Sequence, residues 1–473
     1  MNKFFLTTAI PYVNGKPHIG HALEYFQADT IRRYYQLKGF DTLLLSGADE
    51  NALKNVQAAE KEGLPTQEFL DKNSKVFEDA FEKLGVKLNI FQRGSDSEKH
   101  WPGVQKLWKL CDNSGDLYKK SYSGLYCVGC ESFKHPKELV EGKCPEHLKK
   151  PDVVEEKNYF FRLSKYQEKL IQLIESGEFK ITPENKKNET LSFIKSGLED
   201  FSVSRSNERA KGVGVPVPGD DSQKIYVWFD ALNIYMTGVG FGWNEETWEK
   251  WWPADLHIIG KDINRFHTVY WPAMLLSAGV SLPKEVLVHS FINAPGGQKM
   301  SKSLGNVVDP FELSNQFGLE GLRYYLLSQI PTEDDGEISL ERLKEVYTSD
   351  LANGLGNLVS RVAKLCENNN SKYSDNTDTF TLDLNVEERI KEYHFNEALE
   401  IIWGQVGEAD KLINEREPWK LQGVTLEAVL IDLVKRIQHI AYNLQPFLPE
   451  TAEKILNQFS GQIKASTPLF PRV

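Results

Sequence analysis

The sequence predicts an α/β protein: a doubly wound parallel sheet, split by an inserted module and followed by a C-terminal α-helix bundle. Three observations carry this expectation. Apolar strand-like runs alternate with helical spacing over the first 50 residues and again between 225 and 288. A Cys-, Gly-, Lys-, Glu- and Pro-rich stretch, Tyr118 to Val154, interrupts them. Beyond about Ser339, apolar residues recur at helical spacing to the end of the chain.

Taken in order, Lys3 to Ile10 reads as a strand, Pro11 to Pro17 as a Gly/Pro/Asn loop, and Ile19 to Gln36 as a helix. Thr42 to Leu45 is a second strand ending at Ser46-Gly47, which completes a βα unit of a parallel sheet. Within the inserted module Leu125 to Val128 is a short β-like piece. Strands are expected again at Ile225 to Phe229, Leu256 to Ile259 and Val286 to Val288. In the last third Leu351, Leu355, Leu358, Val362 and Leu365 share one helix face. Phe395, Leu399, Ile402, Val406, Ala409 and Ile413 share another, and Leu426 to Leu444 repeats the pattern. Asn368 to Thr381 reads as an exposed loop, and no internal repeat is present.

Composition narrows the function. The 473 residues leave room for about two to four domains with real cores. No uninterrupted apolar run reaches the ~18 residues of a membrane span. After Met1-Asn2-Lys3 the apolar run Phe4 to Leu6 is broken at once by Thr7 and Thr8, too short for a signal peptide, and no Arg/Ser-rich transit segment precedes it. With 56 Lys+Arg against 67 Asp+Glu, the formal charge of −11 excludes retention on nucleic acid by bulk charge and leaves room for a local basic groove. Five cysteines are too few for a disulfide scaffold, and three of them, Cys127, Cys130 and Cys144, are bunched, which fits a reducing compartment and one local metal site.

Three constellations carry chemistry. Pro17-His18-Ile19-Gly20-His21 stands where the first strand hands over to the first helix. A helix start offers unpaired N–H groups, Gly20 allows close approach of a nucleotide, and His18 and His21 add donors toward phosphate; two ordinary loop histidines are the alternative. Lys299-Met300-Ser301-Lys302-Ser303 follows Gly296-Gly297, and its two lysines can close over a triphosphate and neutralise charge as pyrophosphate leaves. A solvated basic loop is the alternative there. The third is Cys127-x2-Cys130-x13-Cys144-x2-His147, whose four soft and borderline ligands suit a closed tetrahedral zinc site that is structural, with no open position for catalysis.

With the first two motifs in this order, the sequence resembles the class I aminoacyl-tRNA synthetases and, within them, the methionyl-tRNA synthetase family in its single-zinc-knuckle form. The resemblance runs from about residue 3 to the end. It is carried by Ala9-Ile10-Pro11-Tyr12 with Asn14-Gly15, Asp49-Glu50, Asn158 to Arg162, Val227-Trp228-Phe229-Asp230-Ala231, Gly260-Lys261-Asp262 with Phe266-His267, and Leu469 to Arg472. It implies a cytoplasmic ligase that makes methionyl-adenylate and pyrophosphate from L-methionine and ATP with Mg²⁺, then transfers methionyl to the 3′ end of initiator and elongator tRNA(Met). His18, His21, Lys299 and Lys302 would act on the phosphates. Gly20, Gly260, Asp262, Lys302 and Arg205 would bind ATP.

The same resemblance places methionine against Ala9, Ile10, Tyr12, Trp228, Leu232, Tyr235, Ile263, His267 and Trp271, with Asp49 pairing its ammonium. An apolar, aromatic site suits an unbranched thioether, although core packing explains any one of these rings taken alone. Asn357 and Arg361, four apart, match the family's anticodon-reading pair. An aromatic residue of the C-terminal helices stacks on an anticodon base in the family, and the sequence does not single it out. Family members carry histidine and then glycine after the Asp-Glu pair, whereas here Asn51-Ala52 follow Glu50.

The expected organisation is a catalytic nucleotide-binding domain in two halves, 1–115 and 224–291, around a zinc-knuckle insertion at 116–223. A connecting domain with the lysine loop follows at 292–348, and an anticodon-binding bundle at 349–473. A monomer is expected, since the chain stops where longer relatives continue into a dimerisation module. The leucyl, isoleucyl and valyl enzymes share both motifs but need a larger editing insertion, and the cysteinyl enzyme uses zinc within its substrate pocket. A non-catalytic tRNA-binding protein would not need His18, His21, Lys299 and Lys302 together. A nucleotidyltransferase acting on a small acid would have no use for the helix bundle.

Overall fold

The structure, a computed structural model, describes residues 2–127, 132–134, 136–145, 148–300, 308–373 and 380–472. They form two compact units: Met1–Pro17, Asp41–Glu82 and Lys87–Val288 make the first, and His18–Phe40, Lys83–Val86 and His289–Val473 the second.

The first unit is built on a six-stranded sheet. Its strands are β1 (Lys3–Thr8), β2 (Asp41–Ala48), β3 (Ile90–Arg93), β4 (Lys180–Thr182), β5 (Leu256–Gly260) and β6 (Glu285–His289), in the spatial order β3-β2-β1-β5-β6-β4. β1 runs parallel to β2, from Lys3↔Asp41 to Thr7↔Leu45, and to β5, from Leu6↔Leu256 to Thr8↔Ile258. β2–β3 and β6–β4 are also parallel. All of β5, and all but the first residue of β1 and β2, are buried, as expected of strands covered on both faces. Gly47 is required in β2 because a Cβ there would lie 2.2 Å from the Gln92 carbonyl oxygen of β3. The strand order reverses between β1 and β5, so the segments leaving their carboxyl ends flank a crevice of the kind that takes ligands in open α/β sheets.

Leu117–Cys127 and Asp152–Phe161 form a long antiparallel hairpin, paired from Leu117↔Phe161 to Tyr126↔Asp152, within a four-stranded sheet with Ser132–Lys134 and Phe201–Ser202. Ser204–Ser206, Asp220–Ile225 and Pro216–Val217 form a second antiparallel sheet. The strand expected at Ile225 to Phe229 is corrected here: the strand ends at Ile225 and a helix occupies Val227–Ala231. Its run of apolar residues is buried all round, which a short helix satisfies as well as a strand does. β3 and β4, only four and three residues long, were not expected, and β4 comes from the stretch expected to lie in the insertion.

The second unit contains the helix Ile19–Leu37 and the C-terminal helices, among them Leu319–Gln329, Asn357–Asn368, Phe395–Arg416, Gly423–Leu444 and Pro449–Gln458. The faces expected from helical spacing are the buried ones: Phe395, Leu399, Ile402, Val406, Ala409 and Ile413 all point inward. Asp29 anchors this unit. It is fully buried and pairs with Arg323 (2.9 Å), Arg32 (2.6 Å) and Arg33 (2.7 Å), while Arg323 also donates to the Pro446 carbonyl (3.2 Å). Burial pushes the Asp29 carboxyl up, but the three guanidiniums outweigh it and hold it below the usual range. In the stretch expected as an exposed loop, Asn368, Asn369, Asn370 and Lys372 are exposed, and Lys372–Tyr373 pairs with Gly461–Gln462. Among the described residues no helix is long and apolar enough to cross a membrane.

Candidate active site

His18 is the N-cap of the Ile19–Leu37 helix in the second unit. Its Nδ1 accepts the Gly20 amide (3.1 Å), and His21 Nδ1 accepts the His18 amide (3.1 Å). A backbone N–H can only donate, so each Nδ1 presents its lone pair and each neutral ring carries its proton on Nε2. Both imidazoles, their ring centres 3.9 Å apart and their planes tilted by 39°, therefore turn an Nε2–H donor away from the backbone at the positive end of a helix. The Ile19 amide donates to the Val308 carbonyl (3.2 Å), which ties the helix start to the far side of the lysine-rich loop. That loop begins with a hairpin in which Lys299 pairs with Asn293, and Gly296 and Gly297 take left-handed conformations (φ 81° and 72°) open to glycine. Lys302 lies outside the described residues.

All ten residues expected around methionine belong to the first unit. Ala9, Ile10 and Tyr12 follow β1, and the Asp49 amide donates to the Pro11 carbonyl (3.0 Å) as Tyr12 and Asp49 bridge. Trp228 stacks flat on Phe266, with ring centres 3.8 Å apart and 7° between planes, and meets the Tyr12 ring edge-on at 6.2 Å. Tyr235 packs on Trp271 at 5.5 Å, and Leu232 and Ile263 belong to the same apolar cluster.

His267, 1% exposed, completes the group. Its Nδ1 lies 3.0 Å from the Ile263 carbonyl, which only accepts, so Nδ1 carries the proton and Nε2 accepts the Tyr235 hydroxyl at 2.9 Å. Burial pushes the His267 pKa down to about 4, against a smaller upward pull from the Ile263 carbonyl, and the ring is neutral at pH 7. Two indole donors, Trp228 Nε1 and Trp271 Nε1, are buried without an acceptor. The result is a buried aromatic cage with weak N–H donors, the neutral His267 imidazole and one carboxylate at its β2 edge, suited to an apolar, polarisable side chain next to an amine.

Gly260 and Asp262 close β5, with Asp262 exposed in the turn after the strand. Arg205 is buried between two phenol rings, 4.2 Å from Tyr226 and 5.2 Å from Tyr126, and its Nη1 donates to Ser204 O (2.8 Å) and Ser202 Oγ (3.2 Å). With Arg209 and Asn51 it lines a small cavity of about 40 Å³. Cys127 ends its strand and Cys144 sits in a turn closed by Leu148 N to Cys144 O (2.7 Å) and Cys144 N to Lys149 O (2.9 Å). Both sulfurs are buried, and the Cys3His donor set fits zinc; Cys130 and His147 lie outside the described residues. Among the described residues no group of three or more His, Cys, Asp or Glu is placed to hold a metal.

In the second unit Asn357 and Arg361 sit on one face of the Asn357–Asn368 helix. Asn357 is exposed, and Arg361 donates to Asp410 and, at 3.0 Å, to Asn414 of the helix Phe395–Arg416. Five residues beyond Asn414 stands Trp419, 55% exposed. The sequence signal for it was present, a Glu-Pro-Trp-Lys stretch between two helices, but only exposure separates this indole from the buried tryptophans.

The family model of class I tRNA synthetases (M) matches residues 4–150 and 135–363. A methionine–tRNA ligase of Clostridium acetobutylicum is 41% identical over 98% of this chain and 74% of that protein, and one of Brucella suis is 40% identical over 96% and 91%. The chain belongs to the methionine–tRNA ligases. The structure of Mycobacterium tuberculosis methionyl-tRNA synthetase in complex with methionyl-adenylate matches with a TM-score of 0.92 at 36% identity, covering all of both chains. The apo form of that protein matches with 0.85 at 34% identity, covering 100% and 98%. As a methionine–tRNA ligase family member, the chain carries its histidine signature and the start of its lysine loop in one unit and its aromatic cage in the other. Sequence reasoning missed Phe266 and His257 in that cage. His257 is a fully buried β5 residue 4.6 Å from the Tyr235 ring and 5.3 Å from Trp271, and burial pushes its pKa well down. Its only sequence signal is a polar residue in an apolar strand.

Proposed function

We propose that this methionine–tRNA ligase activates L-methionine at the cage of Tyr12, Trp228, Tyr235, His267 and Trp271, with Asp49 holding the ammonium. The observation that carries the reading is the buried, neutral aromatic character of that cage beside a carboxylate, in a chain with both class I signatures. The methionine carboxylate is ionised at neutral pH and attacks the α-phosphorus of ATP without a general base; a P–O bond forms as the bond to pyrophosphate breaks. His18 and His21 donate through Nε2–H to the phosphate oxygens, Gly20 admits the nucleotide, and Lys299 and Lys302 neutralise the departing charge. Gly260, Asp262 and Arg205 hold the nucleoside, and Mg²⁺ enters with ATP as substrate. The 3′-terminal ribose hydroxyl of tRNA(Met) then attacks the adenylate carbonyl and AMP leaves.

Asn357 and Arg361 read anticodon base edges, and Trp419 is the aromatic platform on which a base stacks. Initiator and elongator tRNA(Met) share that reading. Zinc held by Cys127, Cys130, Cys144 and His147 supplies a structural clip for the end of the 117–127 strand. The protein acts as a cytoplasmic monomer, its catalytic sheet taking in β4 from the stretch expected to lie in the insertion. The test is amino-acid-dependent exchange of pyrophosphate into ATP across all twenty amino acids without tRNA. Exchange with methionine alone is expected, and exchange with another amino acid would overturn the pocket assignment.

A further inference from the structure

A chain of hydrogen-bonded polar side chains runs beside the cage, three of its four members buried. Asn51 Nδ2 donates to the Gly94 carbonyl (2.8 Å) and to Asp230 Oδ2 (2.6 Å). Asp230 Oδ1 accepts from His100 Nε2 (2.7 Å), and His100 Nδ1 meets Thr237 Oγ1 (2.8 Å). Asp230, His100 and Thr237 are at most 1% exposed. A charged, buried hydrogen-bond chain of this kind fixes geometry, because each member left unpaired loses its solvation.

Its anchor points fall into register with the cage. Asn51 lies two residues after Asp49, Asp230 two after Trp228, and Thr237 two after Tyr235. Asp230 and Thr237 belong to the short helices Val227–Ala231 and Ile234–Thr237, neither of which has a side-chain N-cap to fix it. The chain therefore grips, from behind, the three segments that present the carboxylate, the stacked indole and the phenol.

We propose that Asn51, Asp230, His100 and Thr237 are positioning residues that set the spacing between Asp49 and the Trp228 and Tyr235 walls, and so determine affinity for the amino acid rather than for ATP. Asn51 is the removable member: its amide hydrogen supplies the donor that joins the Asp49 segment to Asp230. This inference rests on the proposed methionine site.

Pyrophosphate exchange by the full chain, with methionine and ATP varied separately, tests it. Asn51→Leu keeps the volume and removes the donor, and is expected to raise the methionine KM about tenfold or more, the loss of one hydrogen bond to a charged acceptor, with ATP KM within about twofold. Asn51→His restores an N–H toward Asp230 and is expected to recover most of the loss. Thr237→Val, at the far end, is expected to move methionine KM the same way by about threefold, and serves if Asn51→Leu does not fold. An unchanged methionine KM in Asn51→Leu or Thr237→Val, equal changes in both KM values, or Asn51→His no better than Asn51→Leu would overturn the positioning role. Failure of the unsubstituted protein to exchange with methionine would overturn the site reading itself, which separates the two outcomes.

Discussion

In the first unit Tyr235, His267 and Trp271 are at most 1% exposed and linked by ring edges and one hydrogen bond; in the second, His18 and His21 stand half-buried with their donors turned away from the backbone. The cage is built from side chains that come together from β1, β2, two short helices and the turn after β5. The histidine pair is built from four consecutive residues and their own amides. A site for an apolar side chain has to exclude water and be uncharged, which takes many elements. A site for phosphate needs donors and a helix end, which one turn of chain supplies. On the proposed reading, selectivity lies in the first arrangement and rate in the second.

The largest expected effect probes the scaffold of the signature helix. Asp29→Ala leaves Arg323 buried without its carboxylate and should cost about 3–5 kcal/mol, seen as an early transition in urea by a probe in the second unit. A loss below about 1 kcal/mol would mean that the buried Arg323 guanidinium does not depend on that carboxylate. Next, His21→Asn keeps an acceptor where Nδ1 sits and removes the donor at Nε2. Exchange kcat should fall about 10²–10³-fold with methionine KM unchanged. A change confined to methionine KM would break the division of labour between the two regions.

Asp49→Asn removes the charge proposed to face the ammonium, and methionine KM should rise about 10–100-fold in exchange assays while ATP KM holds. Smallest at any pH near neutrality is a pH dependence that grows only on acidification. His267 is neutral in the folded protein with a pKa of about 4 against 6.5 when unfolded, so the unfolded chain binds more protons between those values. Stability should be fully present above pH 6.5 and decline as pH falls toward 4, by about 1.4 kcal/mol per pH unit for this one proton. Denaturant midpoints across that window, compared with His267→Gln, isolate the contribution; an identical slope in the variant would assign it elsewhere, His257 first.

The same contrast explains what could be read from the sequence. His18, Gly20, His21 and the lysine loop are contiguous, so their spacing alone carried the signal. β1, β2, β5 and β6 were visible because strands buried on both faces become apolar runs. β3 and β4 were not, since three or four residues with Gln92, Arg93 and Lys180 among them make no pattern. Val227 to Phe229 reads as a strand because a helix buried on every side loses its periodicity. The cage residues are named one by one through resemblance, but Phe266, His257 and the Asn51–Asp230–His100–Thr237 chain depend on contacts 22 to 179 residues apart, between positions that no local spacing relates. Trp419 is hidden for the opposite reason: its indole is 55% exposed and belongs to no core pattern.

The order in which the chain visits its two units also matters before the protein is complete. Ile19–Leu37 is synthesised early, yet Glu24 meets His289, Asp29 meets Arg323 and Tyr34 meets Glu387. At ~5–20 residues per second of synthesis, this helix waits from roughly ten seconds to a minute for those partners. During that interval Leu23, Tyr25, Phe26 and Ile31, all buried in the finished unit, have nothing from residues 289 onward to cover them. A nascent chain halted near Val288 would thus hold every segment of the first unit and one orphaned amphipathic helix, a natural target for chaperones and proteases that survey unfinished proteins.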